Sequence, residues 1–271
     1  MKRSAKLAIS LLLRAWDILH DAFFWLIGKP LPPRCMVLYY HAIPAQSRAL
    51  FASQLDTILK VARPVTTNPK GDLCAGTRYV SVTFDDGFIS VLQNAAPELE
   101  ARQIPWTIFI PSGRLGQKPD WLKHAHPAVR EDRVMTADEL RKLARGPLVK
   151  VASHTVTHAN LPDLDSHAAF EELSRSKARL EEIVGRPVNQ FSYPFGARTP
   201  ALDQQARAAG YTHIFCSKPD FVPLSTLSSQ PSNIPIGRAS VDPDMSPLEF
   251  RLKILGAYRW LGRRDHKTTD H

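Results

Sequence analysis

Seven apolar, strand-like runs alternate with helical patterns along the chain, and this alternation limits the fold more than any other feature. The runs fall at 36–40, 79–84, 106–110, 148–152, 189–193, 212–216 and 234–241. Helical periodicity occupies 90–102, 137–144, 168–184, 200–209 and, after the last run, 247–261. Short runs rich in β-branched and aromatic residues, separated by helix-length segments, predict parallel strands joined by crossover helices. The fold class is therefore α/β, either a barrel or an open sheet. In a barrel the loops that follow the strands gather at one face, where active sites form. The stretch 217–233, rich in Pro and Ser, predicts a long loop near one rim.

With 271 residues, of which 44% are hydrophobic and 23% charged, the chain has the composition of an ordinary globular protein with a full core. Its formal net charge of +9 favours anionic partners such as lipid headgroups or acidic glycans. Nucleic acid is not expected as a partner. There is no helix-turn-helix, zinc-finger or RNA-binding signature, and the basic residues are scattered. Cys35, Cys74 and Cys216 are isolated and odd in number. They form no disulfide framework and read as small buried apolar residues in a reducing compartment.

The N-terminus carries a second pattern. Lys2, Arg3 and Lys6 precede an apolar stretch from Leu7 to Ile27 that is interrupted by Arg14, Asp17, His20 and Asp21. A charge near a bilayer centre costs about 2.5–3.5 kcal/mol on insertion scales, so the stretch is not expected to span a membrane. Leu12, Trp16, Leu19, Phe23 and Ile27 recur at helical spacing, which predicts an amphipathic helix lying in a membrane interface. A helix packed on the domain itself is one alternative, and an atypical export signal, with a short uncharged run and no small-x-small cleavage site close behind it, is another. Pro30, Pro32 and Pro33 end the helix. The expected organisation is this helix over 1–33, one catalytic domain over 34–262, and a basic polar tail over 263–271.

Chemistry concentrates at the ends of the strand-like runs. Thr83-Phe84-Asp85-Asp86-Gly87 closes one run, and Ser153-His154-Thr155-Val156-Thr157-His158 follows another. Two imidazoles and a carboxylate suit a divalent ion, with a position left for water and a second carboxylate available to take a proton. His154 and His158, four residues apart, are expected to share a face on a helical turn. Strand alternation would send Asp85 and Asp86 to opposite faces, but a turn at Gly87 brings both to the site. His41 and Pro194-Phe195-Gly196 also fall at strand ends. His124 and His126, in a polar connecting segment, read as solvated. Trp121 beside them reads as packing over a loop, with stacking on a sugar face as the alternative.

At these residues, over roughly 34–261, the chain resembles the polysaccharide deacetylase family, the NodB-like carbohydrate esterases. TFDDG and SHTVTH match the family's first two motifs, and Ile104-Pro105-Trp106-Thr107-Ile108-Phe109 resembles a strand between them. The resemblance implies a distorted (β/α) barrel, a divalent metal and removal of acetyl groups from glycans. It implies Asp86, His154 and His158 as metal ligands and Asp85 as general base. Zinc is the expected ion, although such O/N ligand sets also take cobalt, nickel or manganese. The third motif reads Ser192-Tyr193-Pro194-Phe195, without the family's usual arginine and tyrosine, and the usual C-terminal L-x-H segment is absent. Leu38-Tyr39-Tyr40-His41 instead resembles the N-terminal Y-H motif of a permuted branch that acts on biofilm exopolysaccharides. That likeness implies His41 as the catalytic acid, with Arg238 replacing the missing arginine beside the base. Tyr193, Pro194, Phe195 and Gly196 are implied as the wall that meets substrate, the Phe195 N–H serving the oxyanion.

The expected activity is metal-dependent deacetylation of an N-acetylated sugar in a polysaccharide or a lipid-linked glycan. The alternatives are a glycan-binding barrel that has lost turnover, and an amidohydrolase for a small non-sugar amide, which a narrow pocket would favour. The expected location is the surface of a bacterial inner membrane. The cysteines point to its cytoplasmic side and the exopolysaccharide branch to its periplasmic side.

Overall fold

The computed structural model describes residues 3–29, 31–69, 74–122, 127–228 and 234–263. After the N-terminal helix α1 (Arg3–Leu26), strands and helices alternate as expected. Strand β1 (Arg34–Tyr40) leads to α2 (Arg48–Val61) and a short β2 (Arg63–Pro64). Strand β3 (Arg78–Phe84) leads through a π-helical turn at Val91–Ala95 into α3 (Ala96–Ala101). Strand β4 (Trp106–Ile110) precedes α4 (Pro127–Arg130) and α5 (Ala137–Leu143), and β5 (Val149–Ser153) precedes α6 (Ser166–Val184). Strand β6 (Gln190–Ser192) precedes α7 (Pro200–Ala208), and β7 (His213–Cys216) is followed by β8 (Phe221–Pro223) and α8 (Leu224–Ser228). The short strands β9 (Ile236–Gly237) and β10 (Ala239–Ser240) come last, before α9 (Pro247–Ile254).

The strands form one sheet in the order β10-β1-β3-β4-β5-β6-β7-β9, with β2 added to β3 and β8 to β1. Every neighbouring pair along that order is parallel. Strands β9 and β10 lie at opposite ends of the order but are separated in sequence by Arg238 alone. The sheet is therefore a nearly closed, distorted (β/α) barrel, with Arg238 at its seam. This corrects the single strand expected over 234–241. The segment pairs with β7 on one side and β1 on the other, so the chain changes neighbours at Arg238.

Alternation sorts the side chains. Cys35, Val37, Tyr79, Phe109, Ala152 and Phe215 cluster inside the barrel, together with Leu224 and Leu227 of α8. Met36, Leu38, Tyr40, Val80, Val82 and Phe84 point the other way, into the core shared with the outer helices. Helix α2 was not among the expected elements, although Phe51, Leu55 and Ile58 are buried at helical spacing. Likewise the expected loop over 217–233 contains β8 and α8, and its residues 229–233 lie outside the described set. Cys35 and Cys216 are buried as expected, but Cys74 is exposed. Burial pushes the Cys35 thiol up to about 12.

Helix α1 packs on the domain through its polar stripe. Asp17 takes both guanidinium nitrogens of Arg259 at 2.7 Å, and Trp260 donates to Ser10 at 3.1 Å. Asp21 pairs with Arg34 and Arg78, and Arg3 pairs with Glu249. Ser10 and Asp17 are the helix's buried residues, whereas Trp16 is 64% exposed and Leu19 68%. The apolar stripe therefore faces away from the domain. No described helix is long and apolar enough to cross a membrane.

Candidate active site

The site forms at the C-terminal ends of β1, β3, β5 and β6, where inward-facing positions continue beyond the strands. Thr83 points into the barrel, and two residues later so does Asp85, which is buried. Asp86 would ordinarily face outward. Its φ of 67°, followed by 67° at Gly87, swings the chain so that both carboxylates enter one cavity. A Cβ on Gly87 would stand 2.4 Å from Ile110 Cδ1, so a side chain there would meet both backbone strain and a clash.

After β5 the inward register continues to His154. The expected helical turn for His154 and His158 is absent. Thr155 and His158 take φ values of 67° and 63°, and the chain forms a tight loop instead. Left-handed conformations cost such residues roughly 1–2 kcal/mol each. Local bonds hold the loop against that cost. Glu172 of α6 accepts from the Val156 and Thr157 N–H groups at 2.9 Å, and Thr155 Oγ1 accepts from the His158 N–H at 3.1 Å.

Asp86 Oδ1 lies 3.0 Å from His158 Nε2 and 3.7 Å from His154 Nε2. The potential ligand atoms of these three residues all lie within 4.8 Å of one another. Bonds of about 2.0–2.1 Å to a tetrahedral ion set ligand atoms about 3.3 Å apart, so the spacing fits a divalent cation. The donor chemistry fits as well. His154 Nδ1 lies 2.7 Å from the Ser192 carbonyl, which can only accept, so Nδ1 carries the proton and Nε2 keeps its lone pair for the cluster. Asp86 Oδ1 is buried without a hydrogen-bond partner despite its nearness to His158. Burial pushes the Asp86 carboxyl up, but His158, His41 and His154 outweigh it and hold the group low. Burial holds His154 down at about 4, so its ring is neutral at ordinary pH.

Asp85 is set apart from that cluster by Arg238. The guanidinium meets both carboxylate oxygens at 2.7 Å, and also donates to Ser192 Oγ and Thr83 Oγ1. Arg238 is 1% exposed and lies between the rings of Tyr39, at 4.5 Å, and Phe109, at 5.0 Å. Burial alone would raise the Asp85 pKa. Arg238, with His154 and His41, reverses that and lowers it.

The same cavity, about 170 Å³, is lined by His41, Tyr193, Phe195 and Gly196 as well. Phe195 has φ 58° and is 60% exposed, with its ring edge-on to His158 at 4.8 Å. Gly196 and Ala197 donate back to the Tyr193 and Pro194 carbonyls and close the turn. Pro194 is buried in that turn and is not part of the cavity wall. The Tyr193 hydroxyl donates to Asp203 at 2.8 Å, an interaction that directs it away from the carboxylates. Trp121, read from sequence as loop packing, stacks face to face on His158 at 4.4 Å and lines the cavity. Tyr39, Ser192 and Ser217 were missed. Tyr39 and Ser192 had a usable signal, since each continues the inward alternation of its strand. His124 and His126 lie outside the described residues.

The polysaccharide deacetylase family model matches residues 72–214, more than half of the chain. The chain belongs to the polysaccharide deacetylase family. The chain is 25% identical over 181 residues to the putative polysaccharide deacetylase YxkH of Bacillus subtilis, covering 67% of the chain and 56% of that protein. It is also 25% identical to the poly-beta-1,6-N-acetyl-D-glucosamine N-deacetylase of Escherichia coli, covering 57% of the chain and 27% of that protein. The chain thus spans about half or less of the length of these relatives. Among solved structures it resembles IcaB from Ammonifex degensii, with a TM-score of 0.64 and 26% identity over 84% of this chain and 98% of that one. Streptococcus pyogenes PplD shares the fold, with a TM-score of 0.63 at 20% identity over 83% of this chain and 99% of that one.

Proposed function

We propose that the chain removes acetyl groups from N-acetylglucosamine-type units of a polysaccharide or lipid-linked glycan, using a divalent cation held by Asp86, His154 and His158. One observation carries this reading. A second carboxylate, Asp85, is clamped by Arg238 in the same cavity as that ligand set, so one acidic group serves the ion and the other is reserved. Zinc suits the ligands, and cobalt, nickel or manganese would also be accepted. A cation there supplies Lewis acidity, acidifying water and polarising the acetyl carbonyl.

The chain's own residues do the rest. Asp85, kept ionised by Arg238, takes a proton from water as its oxygen bonds to the acetyl carbon. The Phe195 N–H donates to the oxygen of the tetrahedral intermediate. His41 gives a proton to the nitrogen, the C–N bond breaks, and acetate and a free amine leave. The cavity shares His41 and Leu122 with an adjoining groove of about 700 Å³ that also includes Leu50 and Asp242. That continuity favours a sugar within a chain over a small isolated amide.

Acetate release from β-1,6-linked N-acetylglucosamine oligomers tests the reading, before and after chelation and with zinc restored. Release that chelation stops and zinc restores is expected. Release that survives complete metal removal would overturn the metal assignment. Tight oligomer binding without release would favour the inactive binder.

A further inference from the structure

Helix α1 is an amphipathic helix mounted with its apolar face outward. Its two carboxylates, Asp17 and Asp21, turn inward and are paired with Arg259, Arg34 and Arg78. Leu12, Trp16, Leu19, Phe23, Trp25 and Leu26 are 57–78% exposed. Every other exposed residue from Ala8 to Ile27 is apolar too, except His20. At 100° per residue this exposed surface covers about half the helix circumference, whereas a two-helix seam uses a narrow a/d strip. Arg3 and Lys6 stand at one end and Lys29 at the other, and the chain carries a net charge of +9. A broad apolar face containing two tryptophans, without exposed carboxylates and bounded by cations, is complementary to a bilayer interface with anionic headgroups.

The anchoring contacts also orient the barrel. Arg34 and Arg78 open β1 and β3, so Asp21 lies at the base, opposite the site. Glu249, the partner of Arg3, is in the first turn of α9, which follows the rim loop after β10. Helix α1 therefore runs from rim to base along the flank, about 36 Å at 1.5 Å per residue.

We propose that α1 docks the protein on an anionic bilayer along this face, laying the barrel on its side. The mouth then opens along the membrane surface beside Arg3 and Lys6. Given the deacetylase reading above, the sugars reached are those held at the headgroup layer. The docking itself does not depend on that reading.

Vesicle co-sedimentation of the full chain tests the proposal without turnover. Phosphatidylcholine vesicles containing phosphatidylglycerol should bind it, and phosphatidylcholine alone should bind less. The triple variant Trp16→Glu, Leu19→Glu, Phe23→Glu alters exposed side chains only and should keep its thermal transition. Its vesicle binding should fall by at least about tenfold. No wild-type binding, binding unchanged in the variant, or a lipid-independent dimer that the variant abolishes would each overturn the docking. Brominated lipid should quench both Trp16 and Trp25, read by difference from Trp16→Phe and Trp25→Phe. Quenching of Trp25 alone would overturn the side-on orientation.

Discussion

Removing Arg238 should expose how the buried carboxylate is balanced. The Arg238 side chain is 1% exposed and that of Asp85 5%, and two 2.7 Å hydrogen bonds join them. Arg238→Met leaves the Asp85 carboxylate buried without its cation, which should cost about 3–5 kcal/mol of stability. Asp85→Asn leaves Arg238 with Ser192 and Thr83 still accepting, so the loss should be smaller, about 1–3 kcal/mol. The double variant contains neither charge, and its loss should fall short of the sum by about 2–4 kcal/mol. Urea unfolding of the four proteins in chelator, at one pH, measures this coupling directly. Losses that add within about 0.5 kcal/mol would refute the claim that each charge depends on the other. Arg238→Lys keeps the charge without the planar fork and should recover part of the stability.

Three further outcomes follow from separate features. His158→Ala removes one of the three proposed ligands and should lower zinc content after dialysis to near background, as metal analysis would show; full occupancy would remove His158 from the proposed set. Gly196 has φ 69°, and a Cβ there would stand 1.8 Å from Ser217 Oγ, so Gly196→Ala should cost about 1–3 kcal/mol in thermal unfolding and reduce acetate release by displacing the Phe195 turn. Arg133 and the Thr136 cap hold Glu139 at about 2 instead of 4.5. A depressed carboxyl stabilises the fold above its unfolded pKa, and that contribution disappears as the pH falls through the folded value. Partial exposure screens the pair, so Glu139→Gln should cost about 1 kcal/mol at neutral pH. Melts should show that difference shrinking between about pH 4.5 and 2, and a constant difference would contradict the linkage.

Much of the fold was legible because local pattern and tertiary role agree. The run at 106–110 is β4, and 137–144 predicted α5 to within one residue. The TFDDG and SHTVTH segments likewise placed Asp85, Asp86, His154 and His158 at the C-terminal ends of two strands, which are β3 and β5. What sequence did not reveal was mostly non-local. Apolar character continues across 234–241, but closing the barrel requires a change of partner at Arg238, which no local pattern encodes. Four-residue spacing suggested a helical turn for the histidines, while contacts from Glu172 and Thr155 hold a left-handed loop. The carboxylates inside α1 interrupted its apolar pattern because their partners lie elsewhere in the chain, up to 242 residues away at Arg259. Helix α2 is the exception, since Phe51, Leu55 and Ile58 carried a readable signal.

Asp85→Asn, assayed for bound zinc and acetate release in the same preparation, tests the division of labour between the two aspartates most directly. Zinc content should match the wild type while turnover falls by about 10²–10⁴, the usual contribution of a general base. Turnover near the wild-type rate would show that Asp85 is not the base, and loss of zinc together with activity would place Asp85 among the ligands.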